Sequence, residues 1–397
     1  MARGATGGSH ATRRRLVLIG LLAEPGARPA PAWPDLSGDD WREIDRMAQV
    51  HRLQPLLHHR QQDNPAIPRD IRAGWREAFR ESALWALQVS GELAATHALL
   101  DRAGLAPVAL KGAWLAWHAY PHPALRPLRD IDLWLPADQI IAAYGLLREQ
   151  GYQAADDAQL SLDQSLRLDK HLPPLVSPRG VLVELHHRLW EIPGRMDHGA
   201  PLADQDELRD QTIRIGPIAY LDPQDTLAHL IIHAVYDHRL DCGPLLLADI
   251  AFLLARTPID WDRFARDARK GGWLKGAALV LDMVRDHAPH LALPPPLPDC
   301  PAPPGIAADL LLQELDTRQS AGVIATLRAG GLRAFVLRIL ARRADRAGAP
   351  VARDLRGEGG FAAWATTRLA RTLRELSRSE VRGQSRRLAT LSRWLDS

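Results

Sequence analysis

Arg126-Pro-Leu-Arg-Asp130-Ile-Asp132-Leu-Trp-Leu135 is the stretch that decides the fold. Side chains alternate along a strand, so Ile131, Leu133 and Leu135 point to one side and Asp130, Asp132 and Trp134 to the other. The apolar set marks a buried strand face, and the opposite face carries two carboxylates roughly 6–7 Å apart. Like charges held so close at the edge of an apolar sheet raise each other's proton affinity unless a cation sits between them. Mg²⁺ suits the place, being a hard ion that takes one or two protein carboxylates and leaves its other positions to water and phosphate; Mn²⁺ is the substitute.

Working outward, Pro107-Val-Ala-Leu-Lys111-Gly112 reads as a short apolar strand ending in a Lys-Gly turn, with a helix from Ala113 to Tyr120 behind it. Gly112 would let the backbone turn and approach a ligand, and the start of the helix offers N–H groups that suit an anion, which places Lys111 beside phosphate. The chain holds 46 arginines but only four lysines, so a lysine here stands out from the background. Downstream, Gly180-Val-Leu-Val-Glu184-Leu-His186 alternates in the same manner, with Leu182, Glu184 and His186 sharing a face. If that strand pairs beside the acidic one, Glu184 joins the aspartates. Three carboxylates around divalent metal, with a Lys-Gly turn for a triphosphate, is an arrangement that transfers a nucleotidyl group from an NTP.

On these residues the chain resembles the nucleotidyltransferase superfamily with a polymerase-β-like core, in particular its bacterial branch of uncharacterised nucleotidyltransferases. Further segments carry the likeness: Tyr120-Pro, the upstream stretch Asp40 to Leu57, and the downstream stretches Leu227 to His233, Ala248 to Leu254 and Asp260-Trp-Asp. Lys111-Gly112 stands where the wider superfamily has Gly-Ser, as in the abortive-infection type of nucleotidyltransferase. The resemblance implies an α+β fold, a small mixed sheet with flanking helices and with N- and C-terminal helical regions. It implies that Asp130, Asp132 and Glu184 are catalytic and hold the metal, that Lys111, Gly112 and Arg126 bind the nucleotide, and that Lys170, His171 and His186 lie at the edge of the site. An NTP is then the donor and pyrophosphate the by-product. A small molecule or a peptide is the favoured acceptor. An RNA- or tRNA-modifying enzyme and a catalytically inert binding relative are the alternatives.

His229 and His233 stand four apart on one helix face, with His238, Asp241 and Cys242 nearby. Their motif lacks the glutamate of zinc proteases and lies among leucines and isoleucines, so core or pocket-lining histidines are expected rather than zinc ligands.

Composition frames the rest. The chain of 397 residues is 46% apolar and 24% charged, as soluble globular proteins are. A net charge of only +3 and the arginine bias weaken any inference from basicity to a polyanionic partner. Cys242 and Cys300 give no disulfide framework, which points to the cytoplasm. Arg13 to Ala23 mimics a signal peptide, but its apolar run is short and it reads as a folded helix. No run reaches the roughly 18–20 apolar residues of a membrane span.

Punctuation divides the chain into 1–37 (a flexible start, a short helix and a Pro-rich connector), a helical region 38–104, the catalytic core 105–220, a second helical region 221–291, a Pro-rich linker 292–304 and an Arg-rich helical tail 305–397. In the first helical region Trp75, Phe79, Leu84, Leu87 and Leu93 are the expected buried face of a helix over 71–100.

Overall fold

The computed structural model describes residues 10–24, 35–155, 161–190, 208–294, 310–313, most of 321–329, and 379–396. The Pro-rich connector, most of the linker and the Arg-rich stretch 330–378 lie outside the described residues.

Among the described residues the sheet is mixed and has seven strands, β1 Val108–Ala109, β2 Asp130–Trp134, β3 Gln153–Ala154, β4 Leu175–Val176, β5 Leu182–His186, β6 Ile213–Ile215 and β7 Ile218–Tyr220. They lie in the order β3-β4-β5-β2-β1-β7-β6. The two acidic strands are central neighbours and run parallel, Asp130 opposite Leu182, Asp132 opposite Glu184 and Trp134 opposite His186. Ile131, Leu133, Val183 and Leu185 are buried on the other face, so the alternation read from the sequence is the alternation of the fold.

Helices flank this sheet: α1 His10–Leu22, α2 Gly38–Val50, α3 Gln54–Gln61 and the long α4 Arg69–Arg102 precede it. Val17, Leu18, Leu21 and Leu22 of α1 are buried in the core, so the signal-like segment is a packed helix. The start of α2 is fixed by a capping box, in which Ser37 accepts from the Asp40 backbone and Asp40 accepts from Ser37, while Arg14 of α1 donates to Asp40 at 2.7 Å.

On α4 the structure corrects the expected face. Trp75 and Leu93 are buried and Phe79 is half-buried, but Leu84 and Leu87 are 71% and 72% exposed. The buried stripe continues instead through Ser82, Ala86 and Val89. Small residues there let the turn Pro123–Leu125 approach, and the Ser82 hydroxyl donates to the Ala124 carbonyl at 2.7 Å.

After β1 the chain turns into α5 Gly112–Trp114, which widens into a π-helical turn over Leu115–Ala119. Within and beyond the sheet lie α6 Ile140–Glu149, α7 Leu162–Leu168, α8 Pro223–Ile232, α9 Leu245–Arg256, α10 Trp261–Gly271, α11 Leu274–His287 and α12 Ser379–Asp396. Every residue of α8 is buried. Asp222 caps it, accepting from the Gln224 backbone at 2.8 Å, and Pro223 occupies its first turn. Among the described residues no helix is long and apolar enough to cross a membrane.

Candidate active site

Parallel pairing of β2 with β5 brings Asp132 and Glu184 side by side, one residue from Asp130 on the same face. His186, expected at the edge, lies inside this cluster: fully buried, its Nε2 is 2.8 Å from Asp132 Oδ1 and 3.5 Å from Glu184 Oε2. Lys111 completes it, with Nζ 3.1 Å from the same Asp132 oxygen.

The electrostatics follow from crowding in a buried place. Burial, reinforced by Asp132 and Glu184, pushes the Asp130 carboxyl up to about 7. Burial would also raise Asp132, but Lys111 and His186 outweigh it and hold that carboxyl well below the ordinary range. Glu184 is likewise held down against burial by its bond to His186, and His186 is raised against burial by the two acids it touches. Lys111 keeps its charge because three acids face it. The cluster therefore holds more acid than its two cations neutralise.

That imbalance is what a divalent ion relieves, and the donor set fits one. Ligand atoms of Asp132, Glu184 and His186 lie within 4.8 Å of one another. Carboxylate oxygens suit hard divalent ions, whereas an imidazole suits softer first-row metals.

The turn differs from its expectation. Lys111, not Gly112, adopts the positive φ, at 45° with ψ −114°, a conformation that L-residues seldom hold without support from the surrounding structure. Gly112 is required for packing: a Cβ there would lie 2.3 Å from Arg126 Nη1 and 2.5 Å from Leu128 Cδ2. The helix that follows is three residues long, and the N–H groups of Ala113 and Trp114 already donate to Leu110 and Lys111 carbonyls.

Arg126 is half-buried and engaged at buried Asp249 of α9, Nε to Oδ1 at 2.9 Å and Nη2 to Oδ2 at 3.0 Å, and the Tyr120 hydroxyl donates to the same carboxylate at 2.7 Å. Asp249 is the partner that the sequence did not identify. It lies 123 residues from Arg126 within an apolar helix, and only its charge among leucines could have singled it out.

Lys170 and His171 follow α7. His171 bridges to His186 across the sheet edge, and its ring packs 5.3 Å from that of His186. Lys170 is bonded to Asp237 and lies 3.2 Å from His233 Nδ1. His229, one turn earlier on α8, is fully buried with neither ring nitrogen hydrogen-bonded among the described residues. Burial, then the charges of Lys111 and Lys170, keep it neutral. The histidine pair thus lines the polar interior beside the acidic cluster, as a core or pocket-lining pair was expected to do.

No curated protein and no solved structure matches this chain. A family described as uncharacterised nucleotidyltransferases matches residues 37–289, from the cap of α2 to just beyond α11, a span that includes all seven strands and every side chain of the cluster. The chain belongs to that nucleotidyltransferase family.

Proposed function

We propose that the protein is a divalent-metal-dependent enzyme that moves a nucleoside monophosphate from an NTP to a small-molecule or peptide acceptor. The observation that carries this reading is the register pair of buried Asp132 and half-buried Glu184 with Asp130 on the same face, an acid excess inside a nucleotidyltransferase fold. Asp130, Asp132 and Glu184 would hold Mg²⁺ or Mn²⁺ there, and the ion would screen the triphosphate and lower the pKa of the acceptor's nucleophile.

The chain's own residues do the rest. His186 and Lys111 fix the Asp132 carboxylate from two sides, so its free lone pairs keep one direction. The acceptor oxygen or nitrogen forms a bond to the α-phosphorus as it gives up its proton to solvent. The bond from that phosphorus to the β-bridging oxygen breaks, and pyrophosphate leaves with the electron pair. Lys111, which sits beside Asp132, would offset the charge that develops on the departing pyrophosphate.

Asp130→Asn and Asp132→Asn should each lower turnover by about 10³-fold or more. The check is release of pyrophosphate from each NTP, with host metabolite and peptide fractions present and Mg²⁺ or Mn²⁺ supplied or chelated. Unchanged release in both variants, or full activity in chelator, sinks the assignment. Manganese should support at least the rate seen with magnesium.

A further inference from the structure

Beside the acidic cluster, between the N-terminal helices and the segment that enters β2, lies a cleft of about 420 Å³. Its walls include Trp85 and Ser82 of α4, Pro127 and Leu128, and they are pinned: Trp85 Nε1 donates to the Leu128 carbonyl at 2.9 Å and Ser82 to Ala124. Two arginines open into it, Arg129, next in the chain to Asp130, and Arg52, from the corner between α2 and α3. Neither guanidinium has an ion pair or hydrogen bond among the described residues, although Glu81 lines the same cleft. The charges of Arg129 and Asp130 both act on the Arg52 guanidinium, so the cleft and the reaction centre are electrostatic neighbours.

Arg52 also occupies a position where its side chain is costly. Helix α2 ends with Arg52 N–H donating to the Gln49 carbonyl and Leu53 N–H to the Ala48 carbonyl, the pair of bonds that closes a Schellman end. The residue at that corner must take a left-handed conformation, usually glycine's, and Arg52 has φ 56°. An arginine is thus held against its backbone preference in order to place a guanidinium at the cleft.

Resting on the nucleotidyl-transfer reading above, we propose that this cleft is the acceptor subsite, and that it selects a small acceptor bearing a carboxylate or phosphate, which Arg52 and Arg129 grip while the acceptor's nucleophile reaches toward Asp130. Planar guanidinium groups match both anions, and the cleft, open to solvent and lined by Gln49, Gln54 and Ser82 as well as Trp85 and Leu128, has the volume for a small polar acceptor.

The experiment separates host metabolites into anionic, neutral and cationic pools, with RNA as a fourth, and incubates each with the full chain, Mn²⁺ and α-³²P-NTP. Label should enter the anionic pool. Arg52→Gly, which relieves the left-handed corner, should keep a melting midpoint at or above wild type. It should nevertheless raise the half-saturating amount of that pool about ten- to hundredfold, the loss expected for a charge-assisted contact. Arg129→Gln should act in the same direction, with half-saturation by NTP changed less than about twofold in either variant. Label confined to the neutral, cationic or RNA pool, or unchanged half-saturation in both variants, overturns the proposal. Should no pool be labelled by wild type, the transfer reading fails while the cleft remains testable. Titration with acetate and with inorganic phosphate then decides, equal affinities in wild type and both variants overturning it, and the tighter anion of the two naming the group recognised.

Discussion

Arg126 separates two roles that a sequence motif cannot tell apart. Read from its place before the acidic strand, it is a phosphate ligand; folded, it spends Nε and Nη2 on Asp249, with Gly112 packed against Nη1. Arg126→Ala would leave the Asp249 carboxylate buried with only the Tyr120 hydroxyl for company. Breaking a buried pair in this way costs about 3–5 kcal/mol, so urea unfolding should shift to markedly lower midpoint even with no nucleotide present. An arginine that served phosphate alone would leave the midpoint in place and weaken only NTP binding. Asp130, Asp132, Glu184 and His186 were legible because five-residue strands carry enough alternation to assign a face. Asp249 and the Lys170–Asp237 pair were not, since their partners come from distant segments and no local period announces a long-range ion pair.

Among the elements, α4 carries the clearest lesson in reading periodicity. Leucine is a strong core signal, yet Leu84 and Leu87 face outward because Ser82, Ala86 and Val89 are the residues small enough to admit the Pro123–Leu125 turn. Size complementarity with a segment 42 residues away overrode hydropathy. Replacing Leu84 and Leu87 with glutamine should therefore change stability by less than about 0.5 kcal/mol each, whereas Ser82→Leu should destabilise by about 1–3 kcal/mol through overpacking. Thermal midpoints of the three variants rank the two faces directly. The cap of α2 supplies a companion case: Ser37→Ala removes the hydroxyl from its box and should cost about 1 kcal/mol. The shortest strands, β1, β3 and β4, have two residues each, too few to show any period, and the sheet's full width appears only when they pair.

For the whole molecule, one buried apolar cluster runs from Val17 in α1 to Leu391 in α12, and it engulfs histidines whose protonation the fold resists. Burial depresses His51 to about 4, with Arg129 adding to the effect, and depresses His287 to about 3. A folded pKa below the unfolded value of about 6.5 means that the unfolded chain binds more protons between those limits, so stability rises with pH there and is lost on acidification. Denaturant midpoints should accordingly fall as pH goes from 7 to about 4, beginning near 6.5. Asp130, raised to about 7, works in the opposite direction over the same range, so the deciding quantity is the difference between wild type and His287→Leu, and a difference that stays constant from pH 7 to 4 would contradict the neutral, buried placement of His287. His287→Leu, which fills the same space with an uncharged group, should flatten part of the slope.

The pairing of β2 with β5 has a kinetic corollary. Asp132 and His186 meet across 54 residues of sequence, and the strands they sit on are parallel, so no hairpin can bring them together early. Contacts of that span close only after much loop entropy has been surrendered, which makes the carboxylate–imidazole cluster a late acquisition of the folding chain. An ion that binds there grips the finished sheet and has little hold on the partly ordered ensemble at the barrier. Added Mn²⁺ should therefore slow unfolding, in proportion to the stability it confers, while leaving the refolding rate nearly untouched. Stopped-flow jumps into and out of urea, with and without the ion, would display this as a displaced unfolding arm on an otherwise common chevron; a shifted refolding arm would mean that the two strands find each other before the barrier is crossed.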